Sequence, residues 1–199
     1  MNYGDLARRV RAHLNQDHRY EHTVRVARCA DVLAQRHGAD ASRARLAGML
    51  HDLARLYSDR RLLEESQAHG LHVAAFEREH PIVLHARLGA VIAAETFGVR
   101  DPQVLSAIEK HTTAAAVMSP LDCVVYLADS LEPGRTFAER AEFWEVSMRD
   151  LREGMRATLA LSIGHLTGQG RPIAPPTLAA AHAFGILGLS DKEARASAT

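Results

Sequence analysis

Leu50-His51-Asp52-Leu53-Ala54-Arg55 closes an apolar run that begins at Ala44 and passes through Leu46, Ala47 and Met49. Neutral imidazole and carboxylate are both good ligands for zinc, iron or manganese. Adjacent helical residues point about 100° apart, so amphipathic packing cannot turn both His51 and Asp52 inward. One of them is therefore buried at a cost unless a cation or a hydrogen bond satisfies it. By itself the dipeptide is a weak signal. Its weight comes from the segments on either side.

Working outward, helical periodicity dominates. Leu6, Val10 and Leu14 stand four apart and predict a helix over 4–15. A second runs from about 19 to 37, with Val24, Val26, Ala27, Ala30, Leu33 and Ala34 on its apolar positions and Gly38 as its stop. The stretch holding His51 and Asp52 is predicted as a third helix over 41–54, capped by Asp40 or Ser42. Further helices are expected over 59–69, 82–97, 101–112, 121–129 and 177–187, with one long or broken helix over 136–165. Segment 71–81 reads as less regular, and Gly168 to Pro172 and Pro175-Pro176 read as loop. The expectation is one all-α domain over 1–190, a helical bundle with its motifs in 17–137, C-terminal helices over 138–188 and a polar tail over 191–199.

Composition is in keeping with this. The chain has 199 residues, 47% apolar and 24% charged, with a single tryptophan, which suits one helical core better than sheets. Formal net charge is zero, so no bulk attraction to nucleic acid or to a membrane surface is expected. The two cysteines, Cys29 and Cys123, sit in apolar helical patterns and read as free thiols. With neither a signal-peptide core nor an apolar run of membrane-spanning length, the expected location is the cytoplasm.

The unusual number is twelve histidines. His22, His51, Asp52, His85, His111 and Asp129 lie near helix ends or in apolar helices, spread over five predicted helices. Bundles build metal sites from such inward-pointing ligands. Asp129 follows Val124-Val125-Tyr126-Leu127-Ala128, and a buried carboxylate needs a cation or several donors. His80 competes with His85, and His85 is preferred because it heads His85-Ala86-Arg87-Leu88-Gly89-Ala90. His13, His37, His69, His72, His165 and His182 read as solvated or helix-terminal.

The ordered set resembles the HD-domain metal-dependent phosphohydrolases. Arg19-Tyr20-Glu21-His22-Thr23, Leu50-His51-Asp52-Leu53-Ala54-Arg55, the His85 segment, His111-Thr112-Thr113 and Tyr126 through Arg135 are similar to the YqeK branch, the symmetrical bis(5'-nucleosyl)-tetraphosphatases. The resemblance implies a dinuclear site, iron in the best-understood members, with manganese or zinc as alternatives. His22, His51, Asp52 and Asp129 would hold one ion and Asp52, His85 and His111 the other, with Asp52 bridging. Asp52, His51 and Arg55 are expected at the reacting centre. A bridging hydroxide would attack diadenosine tetraphosphate to give two ADP, with Arg19, Arg55 and Arg135 on the polyphosphate. The chain departs from that pattern at Ala114-Ala115-Ala116, where Gly-Arg-Pro is usual, and at Cys123, where lysine is common. The same metals could instead serve another nucleotide, a monophosphate, deoxynucleotide or cyclic dinucleotide, or stabilise a nucleotide-binding module with little turnover. A homodimer through the C-terminal helices is a further expectation.

Overall fold

In the computed structural model, which describes residues 3–186, the regular structure is eleven α-helices and one 3-10 turn, with no strand among the described residues. The helices are α1 (Tyr3–Leu14), α2 (Asp17–Arg36), α3 (Ala41–Leu50), α4 (Asp59–Ala68), α5 (Ala75–Glu79), α6 (Leu84–Glu95), α7 (Pro102–Lys110), α8 (Pro120–Leu131), α9 (Arg140–Arg149), α10 (Leu151–Gly168) and α11 (Pro175–Ala183). The 3-10 turn, Pro81–Val83, leads into α6. The all-α expectation holds.

Local chemistry sets most boundaries. The Asp40 carboxylate accepts from Ser42 N and Arg43 N and caps α3. Ser119 and Asp122 form a reciprocal capping box at α8, and Asp101 caps α7 ahead of Pro102. The predicted helix over 136–165 is two helices. Asp150 separates them, in extended backbone, and its side chain accepts from Arg152 N and Glu153 N to start α10. Pro175 and Pro176 open α11 instead of lying in a loop, since a first helical turn needs no amide donor there. The short α5 interrupts the segment expected to be irregular and is held by Glu77 accepting from Ala74 N. The predicted tail over 191–199 lies outside the described residues.

The core runs through all of this. Val10, Leu33, Leu50, Leu88, Ile108, Leu127, Met155 and Leu159 are fully buried in one apolar cluster that also reaches Phe184. α2 and α3 approach closely because Gly48 lies against Ala27, where an added Cβ would stand 2.9 Å from Ala27 Cα. That approach brings His22 and His51 together. The large apolar side chains exposed among the described residues are Tyr3, Val32, Leu56 and Val117, none of them on α9 to α11. No described helix is long and apolar enough to cross a membrane.

Candidate metal centre

The third helix ends four residues earlier than expected, at Leu50, and His51 and Asp52 fall in the turns that follow. This resolves the conflict between their directions. The turn is enclosed on all sides, so both side chains are buried, His51 at 0% and Asp52 at 4% exposure. His111 likewise caps α7 just past its end, so the six candidates come from helix ends and from the turns beyond them.

Asp52 stands in the middle. Its Oδ2 lies 3.4 Å from His51 Nε2 and 3.6 Å from His22 Nε2. Its Oδ1 lies 3.5 Å from His85 Nε2 and 3.7 Å from His111 Nε2. Asp129 Oδ1 closes the first group, 3.1 Å from His22 Nε2 and 3.7 Å from His51 Nε2. Two donors bound about 2.1 Å from one cation at right angles stand about 3 Å apart, so these spacings suit ligands of shared ions. His22, His51 and Asp129, and separately His51, Asp52 and His111, converge closely enough to hold one. The structure thus brings all six candidates together.

The far nitrogens explain why the rings face this way. Nδ1 of His51, His85 and His111 each donates to the carbonyl three residues back, of Gly48, Ile82 and Ile108, at 2.7, 2.5 and 2.7 Å. At the ends of α3 and α7 these are carbonyls that the helix leaves without a donor. With the proton fixed on Nδ1, the Nε2 lone pair is free to ligate. His22 uses a side chain instead: its Nδ1 meets Glu132 Oε1 at 3.1 Å. Glu132 is 2% exposed and also accepts from Arg25 Nε at 2.5 Å and Gly134 N at 2.6 Å. Glu132 is not among the residues that the sequence pointed to. Its three-residue offset from Asp129 was the available signal. Thr112 was also passed over, and its hydroxyl lies 3.0 Å from His85 Nε2 and 3.1 Å from His111 Nε2.

The groups shift one another strongly. Burial works against charge on Asp52, but His51 and His111 outweigh it and hold the carboxyl well below its ordinary range. Asp129 is lowered in the same way, burial being overcome by the His22 hydrogen bond and by His51. Burial also opposes a proton on His51, yet Asp52 and Asp129 push it up to about 9. Burial and the neighbouring His111 press His85 down to about 3. Crowded donors of this kind, on a cleft floor, mark a functional site.

The cleft above encloses about 410 Å³, and Asp52, His85, His111 and Asp129 face it. Arg19, Arg55 and Arg135 all line it. Arg19 Nη1 meets Asp52 Oδ2 at 2.9 Å, and Arg135 Nη2 meets Asp129 Oδ1 at 2.6 Å. Arg19 Nε is buried without a partner. A fourth cation, Arg171, enters from the loop between α10 and α11 and was not foreseen. It stands in Gly170-Arg171-Pro172, so an arginine reaches the cleft although Ala115 replaces the one usual after His111-Thr112-Thr113. Ala114 keeps a left-handed φ of 55°, the backbone that the usual glycine adopts without strain. His80 lines the cleft beside Phe76, with ring centroids 4.7 Å apart. Cys123 is buried and does not line the cleft.

The HD domain family profile matches residues 19–134, the span that carries all six candidate ligands. The chain belongs to the HD domain family. It is 35% identical over 181 residues, 90% of its own length and 95% of the other's, to the symmetrical bis(5'-nucleosyl)-tetraphosphatase of Halalkalibacterium halodurans. The Bacillus subtilis protein of the same name is 32% identical over 161 residues, 81% of this chain and 86% of that one. Among solved structures, an HD superfamily hydrolase described as involved in NAD metabolism, from Clostridium acetobutylicum, superposes with a TM-score of 0.88 at 28% identity. That match covers 92% of this HD-domain chain and 97% of the other.

Proposed function

We propose that this HD-domain protein is a metal-dependent phosphohydrolase that cleaves diadenosine tetraphosphate symmetrically into two ADP. The observation that carries the reading is the Asp52 carboxylate, whose two oxygens face two separate pairs of imidazole Nε2 atoms. That arrangement supports a two-ion centre. The names of the Halalkalibacterium and Bacillus relatives supply the substrate. Residues 1–190 are taken as one domain.

His22, His51, Asp129 and Asp52 Oδ2 would hold one ion, and His85, His111 and Asp52 Oδ1 the other. Iron is the proposed metal, since imidazole-rich sites with carboxylates accept it along with manganese and zinc. When bound, such a pair supplies Lewis acidity toward a phosphoryl oxygen and a water-derived nucleophile at neutral pH. The chain does the rest. Arg19, Arg55, Arg135 and Arg171 surround the polyphosphate and neutralise its charge. Arg19 and Arg135 bond Asp52 and Asp129 here, and would turn to phosphate oxygens once cations neutralise those carboxylates. Thr112, beside His85 and His111, orients the attacked phosphoryl group by its hydroxyl. The cytoplasm is the proposed location, where the buried thiols of Cys29 and Cys123 stay reduced.

Product analysis tests this. Protein purified anaerobically with iron or manganese is given diadenosine tetraphosphate, and the nucleotides are separated by ion exchange. ADP as sole product is expected. ATP with AMP would refute the symmetrical register, and no turnover with two metals bound would refute the substrate. One observation favours a second reading, another nucleotide phosphate: the loop after His111 carries Ala114-Ala115-Ala116 in place of a cationic segment.

A further inference from the structure

The turn that carries His51 and Asp52 is gripped from outside the metal centre by the first helix. Val10 and Leu14 bury one stripe of α1 in the core. Arg9 and His13, four apart, form a second stripe that meets the turn and the end of α6. Arg9 sits over the Phe97 ring, 4.8 Å from its centroid, and donates to Thr96 O. The half-buried His13 ring meets Phe97 edge to face, with centroids 5.8 Å apart, and its centroid lies 6.5 Å from that of Tyr57. Its Nε2 donates to Leu53 O at 2.8 Å.

Leu53 follows Asp52, and its carbonyl takes a donor from another element. The neighbouring carbonyls of Asp52 and Ala54 accept amides of the turn itself, from Arg55 and Tyr57. α6 packs on the same turn, where an added Cβ on Gly89 would stand 3.3 Å from His51 O and 4.0 Å from Leu53 N. The backbone around Asp52 is thus held by α6 and by His13. A phenylalanine at position 13 would fill the space beside Tyr57 and Phe97 and bury more apolar surface. What the imidazole adds is one donor, directed at the residue after Asp52. Both the neutral Nε2–H form and the imidazolium can donate, so the contact holds in either state.

We infer that His13 is a positioning residue for the proposed metal centre: through Leu53 it sets where the Asp52 carboxylate stands between its two pairs of imidazoles. The inference rests on the proposed bridging role of Asp52 and deepens it. The Asp52 oxygens lie 3.4 to 3.7 Å from four Nε2 atoms. A carboxylate shared by two ions must meet both at bonding distance, so a shift of about 0.5 Å in the turn weakens one contact or the other.

Two variants test this: His13→Phe, which keeps a ring and loses the donor, and His13→Gln, whose amide can still donate to Leu53 O. Manganese affinity is measured by chelator competition on folded protein without substrate, and kcat and KM with diadenosine tetraphosphate. His13→Phe is expected to weaken manganese binding roughly three- to tenfold, the worth of one hydrogen bond, and to lower kcat by a similar factor with KM nearly unchanged. His13→Gln recovers most of both. If His13→Phe does not fold, His13→Asn takes its place, since its shorter amide stops short of Leu53 O. A lower thermal midpoint with manganese affinity and kcat as in the wild type overturns the inference, because a purely structural contact would do only that. Equal losses in the phenylalanine and glutamine variants also overturn it, since the donor would then not matter. A wild type that binds manganese but leaves the dinucleotide uncut overturns the hydrolase reading, and manganese affinity still decides on His13. A wild type that binds no manganese overturns the two-ion reading and this inference with it.

Discussion

Replacing Glu132 by glutamine should disable half of the proposed metal centre without touching a proposed ligand. The carboxylate receives His22 Nδ1 and Arg25 Nη2 on Oε1, at 3.1 and 3.3 Å, and Arg25 Nε and Gly134 N on Oε2, at 2.5 and 2.6 Å. An amide has one oxygen, so its NH2 must face two donors. At the Oε2 position it would face the two short contacts, which makes Oε1 the less costly place. There His22 can respond by moving its proton to Nε2 and accepting on Nδ1, and Nε2 then no longer binds a cation. Each mismatched buried donor costs about 1–3 kcal/mol. The Arg25 side chain is 34% exposed and water can satisfy part of it, so a total near 2 kcal/mol is expected. That corresponds to a fall of about 4–8 °C in midpoint for a chain of this size. Metal affinity on the His22 side should drop about 10- to 100-fold.

The stability loss carries a pH signature in metal-free protein. Burial works against the charge on Glu132, but Arg25, Gly134 and His22 outweigh it and hold the carboxyl down at about 2. A depressed folded value means the contribution is full above the unfolded value of about 4.3 and is lost as pH falls toward 2. The midpoints of wild type and Glu132→Gln should therefore converge below about pH 4. The assay is thermal unfolding by circular dichroism across pH, with metal content measured after dialysis. A variant that keeps two metals per chain and unfolds with the wild type at pH 7 refutes the role of Glu132.

Asp52→Asn should remove both ions and turnover together, read by metal analysis and ADP production; retained activity would sink the bridging assignment. Gly48→Ala puts a Cβ 2.9 Å from Ala27 Cα, so α2 and α3 must part. A loss of about 1–3 kcal/mol in denaturant unfolding is expected, with weaker metal binding because His22 and His51 separate. Burial pushes the Cys29 thiol up to about 11 and that of Cys123 to about 12, Glu132 and Asp122 adding to the respective shifts. Neither should react with iodoacetamide at pH 8 in folded protein, and both should on unfolding. Because both values are raised, their stabilising contribution is full below about pH 8.5 and fades as pH rises toward 11.

The helices and the candidate ligands were legible in the chain because both are carried by local signals. Leu6, Val10 and Leu14 recur at helical spacing, and the apolar run before Asp129 marks that carboxylate as needing a partner. The order His22, His51-Asp52, His85, His111, Asp129 carried the resemblance. Less was legible where an outcome depended on groups far apart in sequence. Helix ends moved because caps such as Asp150 compete with periodicity, and the turn after α3 formed because packing enclosed it on every side. Glu132 serves His22 from 110 residues away, and Arg171 reaches the cleft from a loop that reads as punctuation. The sequence by itself determined an all-helical chain and six candidate ligands, since periodicity and residue chemistry are properties of neighbours. Only the tertiary structure decided which oxygen of Asp52 faces which histidines and what fixes each imidazole proton. Those depend on side chains meeting across the core, and no local spacing encodes them.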